Sequence, residues 1–373
     1  MKKLFLFLFA VCSMFITEAQ KQKPVPPPSE IMLAATPVKN QAITGTCWCF
    51  STTSLVESQC LKNKLGEMDL SEMFVVRNIY KEKAKNYILR QGHAQFSEGG
   101  LGHDMIRATA LYGALPESVY SGLLPGNKMH NHQKMVGALK TYLDTIVKIV
   151  PAPKNWLEGY EKILNEHMGI PPAKVEMGGR EITPEMYATK FLQFNADDYV
   201  NITSFTHQPY YKPFVIQVPD NFSSGAYYNL PLNEMTALVK SALQKGFTVM
   251  WDADVSNNGF RQDVGYALFL KPGRNYTKEE FIPDTGEQPY DENIRQELYE
   301  NLTTQDDHLM HIVGIEKSKE GKDFFIVKNS WGLIGPFKGY IKVSEAYFAI
   351  NTISLVVPKG AFSADQLNNL GIK

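Results

Sequence analysis

The sequence predicts an α+β protein of two lobes, the first mostly helical and the second mostly β. Two observations predict it. As far as about residue 195, apolar residues recur at helical spacing, while beyond Phe214 they gather into short runs rich in β-branched and aromatic residues. The 373 residues are enough for two lobes, or one large domain, around a real core. With 44% hydrophobic and 21% charged residues, the composition is that of a globular protein. A formal net charge of -1 argues against a nucleic-acid partner, which asks for a basic face. No internal repeat is visible.

Lys2 and Lys3 precede an apolar run from Leu4 to Ile16, followed by Thr17-Glu18-Ala19-Gln20. A charged start, a short apolar stretch and small residues at the end are the layout of a secretory signal, so residues 1–20 are expected to be removed after Ala19 or Gln20. The run falls short of the ~20 residues of a membrane span, and no later stretch reaches that length. The mature protein is therefore expected to be exported, periplasmic or secreted, with no stable membrane insertion. Loss of Lys2, Lys3 and Glu18 takes the formal charge from -1 to -2. Residues 21–36 read as a proline-rich, extended leader. The remainder, 37–373, divides into a helical lobe (about 37–126), a helical insertion (about 127–195) and a β-rich lobe (about 196–373).

Within the first lobe, Cys47 to Lys62 lacks Pro and Gly and predicts a helix. Ser71 is a natural N-cap for a second helix that begins with Glu72 and Met73. A turn at Glu98-Gly99-Gly100-Leu101-Gly102 leads into a third, Asp104 to Tyr112, stopped by Gly113. The insertion is polar and helical, broken at Pro151, Pro153, Pro171 and Pro172. In the last lobe, residues 215–218, 247–251, 312–315, 324–327, 340–343 and 353–357 predict strands, and Ala364 to Leu370 a final helix.

The three cysteines left after export, Cys47, Cys49 and Cys60, are an odd number in an oxidising compartment. On one helix, Cys49 and Cys60 stand ~16 Å apart, beyond disulfide reach, and read as small buried hydrophobes. Cys47 needs another explanation. At a helix start, free backbone N–H groups and the positive dipole end favour a thiolate, the nucleophile of acyl transfer. Gln41, on the approaching loop, can aim a side-chain N–H at the oxyanion formed when Cys47 attacks a carbonyl, with the Cys47 backbone N–H as second donor. His308, at the entry to a β run, can take and return a proton. Asn329, at the exit of a later strand, can orient that imidazole, and Trp331 can shield the bond from water. Only the fold can join Cys47 to His308.

Gln41, Cys47-Trp48 with Phe50-Ser51, His308, and Asn329-Ser330-Trp331-Gly332 resemble the papain-type cysteine peptidases in both kind and chain order. Leu70-Ser71-Glu72 and the run Tyr80 to Tyr87 are similar to the bleomycin hydrolase and aminopeptidase C branch. The resemblance implies a papain-like fold, a helical lobe facing an antiparallel barrel-like β lobe with a helical insertion. It implies peptide hydrolysis through an acyl-enzyme, with Gln41 as oxyanion donor, Cys47 as nucleophile, His308 as acid and base, and Asn329 as orienter. Gly99 and Gly100 then line the cleft and hydrogen-bond extended substrate, flanked by Trp48 and Trp331. No cofactor and no metal are implied, the partners are peptides, and a homo-oligomer is admitted.

Two departures stand out. Only 21–36 separate the signal from the catalytic loop, where the wider family has a folded propeptide. Residues 358–373 are short for the arm that runs into the cleft in this branch and enforces aminopeptidase action, so aminopeptidase specificity stays an expectation beside an endopeptidase. A transglutaminase-like acyl transferase and an inactive peptide-binding module are the readings from other classes. His103-Asp104 and His130-Asn131-His132 resemble fragments of a metal site, but no second cluster completes one.

Overall fold

In a computed structural model the described residues are 30–373. The expected signal and most of the expected leader lie outside them. Strand β1 (Glu30–Met32) opens the described chain. Helix α1 (Cys47–Lys62) comes next, and its first twelve residues are all buried, so it is the central element around which both lobes pack. Lys62 sits in its last turn, where a cation opposes the partial negative charge of the helix end. Helix α2 (Glu72–Leu89) is capped as predicted, the Phe74 N–H donating to Ser71 Oγ at 3.1 Å. Helix α3 (Gly102–Tyr112) starts two residues before its predicted head, because the Asp104 carboxylate accepts the Leu101 N–H at 3.1 Å and draws the turn into the helix. It stops at Gly113, whose φ of 78° and contact with the Pro184 backbone leave no room for a Cβ.

Helices α4 (Gln133–Ile146) and α5 (Trp156–Met168), the hairpin β2 (Val175–Met177) and β3 (Arg180–Ile182), and one turn α6 (Pro184–Met186) complete the helical part. Their Leu139, Tyr160 and Ile182, with Leu192 further along the chain, share one apolar cluster with Trp48, Val56 and Tyr80. The insertion is thus packed into the core that α1 and α2 build.

The second lobe comprises β4 (Tyr199–Thr203), β5 (Pro213–Val215), β6 (Ala226–Asn229), α7 (Leu232–Gln244), β7 (Val249–Ala253), β8 (Phe260–Arg261), β9 (Tyr266–Ala267) and α8 (Glu292–Glu300). It continues through β10 (His308–Lys317), β11 (Asp323–Lys328), β12 (Tyr340–Ser344), α9 (Glu345–Asn351), β13 (Thr352–Pro358) and α10 (Ala364–Leu370). The strands form one sheet in the order β5-β6-β4-β13-β7-β10-β11-β12-β9-β8, with β1 added to β10. The expected antiparallel lobe is mixed, since β4 runs parallel to β6 and β12 parallel to β9.

Two expected strands differ from those observed. The run 215–218 ends its ladder at Val215 because the Asn221 amide donates to the Ile216 carbonyl at 3.0 Å and folds residues 216–221 into a loop. The run 247–251 is shifted to Val249–Ala253, since the Phe247 N–H still donates to Ala242 at the end of α7. Helices α7 and α9 were not legible as separate elements. They cover the sheet, Leu238 and Phe348 packing with Trp251, Phe325 and Leu355.

Candidate active site

The head of α1 meets the start of β10. Among the described residues the Cys47 N–H has no backbone partner, as a first-turn donor leaves it. The backbone N–H of Leu309, the residue after His308, lies close enough to the Cys47 thiol to favour its ionised form. His308 Nε2 lies 2.7 Å from Asn329 Oδ1. That oxygen also accepts the Ser330 N–H at 2.7 Å, and Asn329 Nδ2 donates to Gln262 Oε1 at 3.1 Å, so the amide orientation is fixed. The imidazole must then carry its proton on Nε2, which leaves Nδ1 as the free base. The Trp331 ring stacks on the imidazole with centroids 4.5 Å apart and planes at 30°, shielding the bond to Asn329.

Gln41 is held at both ends of its amide. Oε1 accepts from Ser330 Oγ at 2.6 Å, and Nε2 donates to the Thr44 carbonyl at 2.7 Å, which leaves the second N–H free. The loop that carries it is braced from outside: the Gly45 N–H donates to Glu98 Oε2 at 2.7 Å, and residues 130–132 pair with Ile43. Gly100 packs flat on Trp48, where a Cβ would come within 3.1 Å of the indole. Trp48 itself is fully buried and donates from Nε1 to the Glu98 carbonyl at 3.0 Å. It backs the cleft and offers no surface to a substrate, which corrects its expected binding role. The Gly99 carbonyl is taken by the Lys83 ammonium from below.

Cys47 and His308 are 8% and 4% exposed, so both reacting side chains are almost wholly buried. Burial pushes the Cys47 thiol up to about 12, with Asp252, Asp306 and Asp220 adding to the rise and the Leu309 N–H opposing it. Burial likewise pushes the imidazole down to about 4, opposed by Asn329 and Asp307. The helix start therefore does not hold a lone thiolate, as the sequence suggests it would. Either charge alone is disfavoured here. Moving the thiol proton to the imidazole makes both charges together, and their attraction offsets the desolvation.

Behind the site, a chain of buried polar groups ties the lobes. His311 Nδ1 and the Lys328 ammonium both bond Ser54 Oγ on α1, at 2.9 and 2.7 Å. Lys328 reaches Thr36, Thr36 donates to Glu57, and Lys39 bridges Glu57 and Glu72. His311, the neighbouring histidine of β10, thus serves the lobe contact. His103, one of the suspected metal fragments, has both ring nitrogens engaged, by Tyr227 and Ser223 at 2.7 Å each.

Sequence reasoning passed over Asp252, Asp306 and Asp220, the three carboxylates that bear on the thiol. Asp252 had a signal, an acid inside the apolar run Val249-Met250-Trp251-Asp252-Ala253. Asp306 adjoined the histidine motif. Asp220, in a Pro-Asp-Asn loop, had none.

Residues 174–372 match the family model described as Peptidase C1-like family, more than half of the chain. The chain belongs to the Peptidase C1-like family. Residues 29–86 match a second model, papain family cysteine protease. This cysteine peptidase is 23% identical to aminopeptidase C of Streptococcus thermophilus, covering 88% of this chain and 82% of the relative. It is 24% identical to aminopeptidase G of Lactobacillus delbrueckii subsp. lactis over the same shares, and 20% identical to bleomycin hydrolase of Gallus gallus, over 89% and 82%. The crystal structure of PepW from Lactobacillus rhamnosis superposes with a TM-score of 0.70 at 20% identity, covering 92% of this chain and 85% of that one. Together these place the chain in the papain-like fold and in the aminopeptidase C and bleomycin hydrolase branch.

Proposed function

We propose that this cysteine peptidase is an exported aminopeptidase that works through a thioester on Cys47. One observation carries the reading: Cys47, at the head of α1, lies beside Leu309, the residue after His308, and the imidazole of His308 is fixed on its Nε2 side by Asn329. In the proposed sequence the Cys47 proton passes to His308 Nδ1 as sulfur attacks the substrate carbonyl. The free N–H groups of Gln41 Nε2 and Cys47 hold the oxyanion. The imidazole returns the proton to the leaving nitrogen, the C–N bond breaks, and a thioester remains. Water then gives a proton to His308 and its hydroxyl to the carbonyl, the C–S bond breaks, and the acid leaves with the thiol restored. Half-buried Gly99, next to buried Gly100 whose N–H and C=O have no partner among the described residues, is where the substrate strand would pair. The amino-terminal preference is supported by relatives named aminopeptidases C and G, and export by the signal-like start.

Mass-spectrometric digestion of one peptide, with its N-terminus free and then acetylated, tests this, with Cys47→Ser as blank. Single residues should leave stepwise from the free peptide alone. Fragments cut from inside the acetylated peptide would make it an endopeptidase, and amine incorporation exceeding hydrolysis would make it a transferase.

A further inference from the structure

The loop 216–225 lies over the Gly99 side of the cleft and is pinned from three directions. Ser223 Oγ bonds His103 Nε2 at 2.7 Å, and Gly225 packs on the His103 ring so closely that a Cβ would collide with it. Asn221 closes the loop on itself, its amide donating to Ile216 and Gly225 carbonyls at 3.0 Å each. The Asp220 backbone N–H lies close enough to the Asp306 carboxyl to favour its ionised form. This fixing sets the Asp220 carboxylate against the Gly99 backbone, where a Cβ on Gly99 would strike it. Asp220 Oδ1 accepts from Gln95 at 3.1 Å and Ser97 at 3.4 Å, and Oδ2 has no hydrogen-bond partner among the described residues.

Behind Asp220 stand Asp306 and the fully buried Asp252, whose proton affinity the neighbouring Asp306 raises further. Asp252 Oδ2 accepts from Ser354 at 2.9 Å, while Asp252 Oδ1 and Asp306 Oδ2 are buried with no hydrogen-bond partner among the described residues. Burial raises the proton affinity of both acids, that of Asp306 to about 7. The cation nearest this rim, Lys83, is buried beneath it and committed to the Ser97 and Gly99 carbonyls. All three acids bear on the Cys47 thiol. Asp220, half-buried against Gly99 and with one acceptor oxygen unfilled, offers a negative charge to a substrate that brings a positive charge to that end.

We propose that Asp220, backed by the Asp252–Asp306 pair, binds the free α-ammonium of the peptide and so fixes the cut at the first bond. The inference rests on the aminopeptidase reading and gives it a residue. Asp220→Asn keeps the shape and the acceptor oxygen and removes the charge. Its kcat/KM should be compared with wild type on one fluorogenic peptide with a free and with an acetylated N-terminus, each rate taken per Cys47 titrated with iodoacetamide. Wild type should favour the free peptide. In Asp220→Asn that preference should fall roughly tenfold to hundredfold, chiefly through KM, the range set by a hydrogen bond to a charged group. If wild type prefers the free peptide and the substitution leaves the ratio unchanged, or weakens both substrates equally, the anchor is overturned and the aminopeptidase reading stands. If wild type does not discriminate, both fall.

Discussion

Asn329 touches the imidazole and no substrate atom, so its contribution is positional. It accepts the Nε2 proton, selects the tautomer with Nδ1 free, and is itself locked by Gln262 and the Ser330 N–H. Asn329→Ala should lower kcat/KM roughly 10- to 100-fold by letting the ring wander, whereas Cys47→Ser should remove ~10³-fold or more with the nucleophile. The same ring predicts the acid side of the pH profile. In the resting site it must stay unprotonated to receive the thiol proton, and burial has lowered it to about 4. Activity should therefore hold from neutral pH down to about 4 and be lost below, as a second proton occupies the base. A profile of kcat/KM with its acid limb near 6.5 would mean that the imidazole ionises as it does in water. Gln41, Cys47, His308 and Asn329 could be named from the sequence because each sits in a short motif whose neighbours also matter: Gly45 for the loop, Trp331 for the ring, Ser330 for Gln41. Of the acids around the thiol, Asp220 was not nameable, because nothing local distinguishes it from any other loop aspartate until the chain is folded.

At the scale of elements, the join between α1 and β10 decides whether the nucleophile and base meet. It is made by buried charge as well as by apolar packing. Glu57 is 1% exposed and accepts from Thr36 at 2.5 Å and from the Leu70 N–H at 2.8 Å, with Lys39 alongside at 3.6 Å. Burial raises its proton affinity, and Lys39, first among the groups opposing this, draws it down. Removing one partner of such a set leaves the others unpaired in the interior. Glu57→Ala should cost about 3–5 kcal/mol in urea unfolding. A change of only a few tenths, the size of an exposed-pair effect, would show that the network is solvated in solution. The heads of α2 and α10, capped by Ser71 and Ser363, were readable, whereas that of α9, capped by Ser344, was not. Strand limits were not, because α7 and the Asn221 turn compete with the ladder through contacts made by residues outside each run.

For the molecule as a whole, the two lobes and their order were legible from the change of hydrophobic period, but the placing of the last residues was not. Ala364 to Leu370 read as a helix and is one, α10. Its approach runs past Gly360, which packs on the Phe247 ring, and the Lys62 ammonium lies 4.0 Å over that same ring. Lys62 ends α1, so this point is about 22 Å along the helix from Cys47. Leu370 is buried beyond it in the cluster that holds Leu238 and Ala242 of α7. Residues 364–373 thus stabilise the β lobe from the side opposite the nucleophile. Deleting them should cost ~1.5–3 kcal/mol for the lost leucine burial and lower the melting temperature. The ratio of kcat/KM on free and acetylated peptides should stay as in the full chain, since the charge that meets the substrate's amino end stands on the 216–225 loop. Loss of that ratio in a deletion variant that still folds, judged by circular dichroism and Cys47 titration, would move the origin of specificity from that loop to the C-terminal residues.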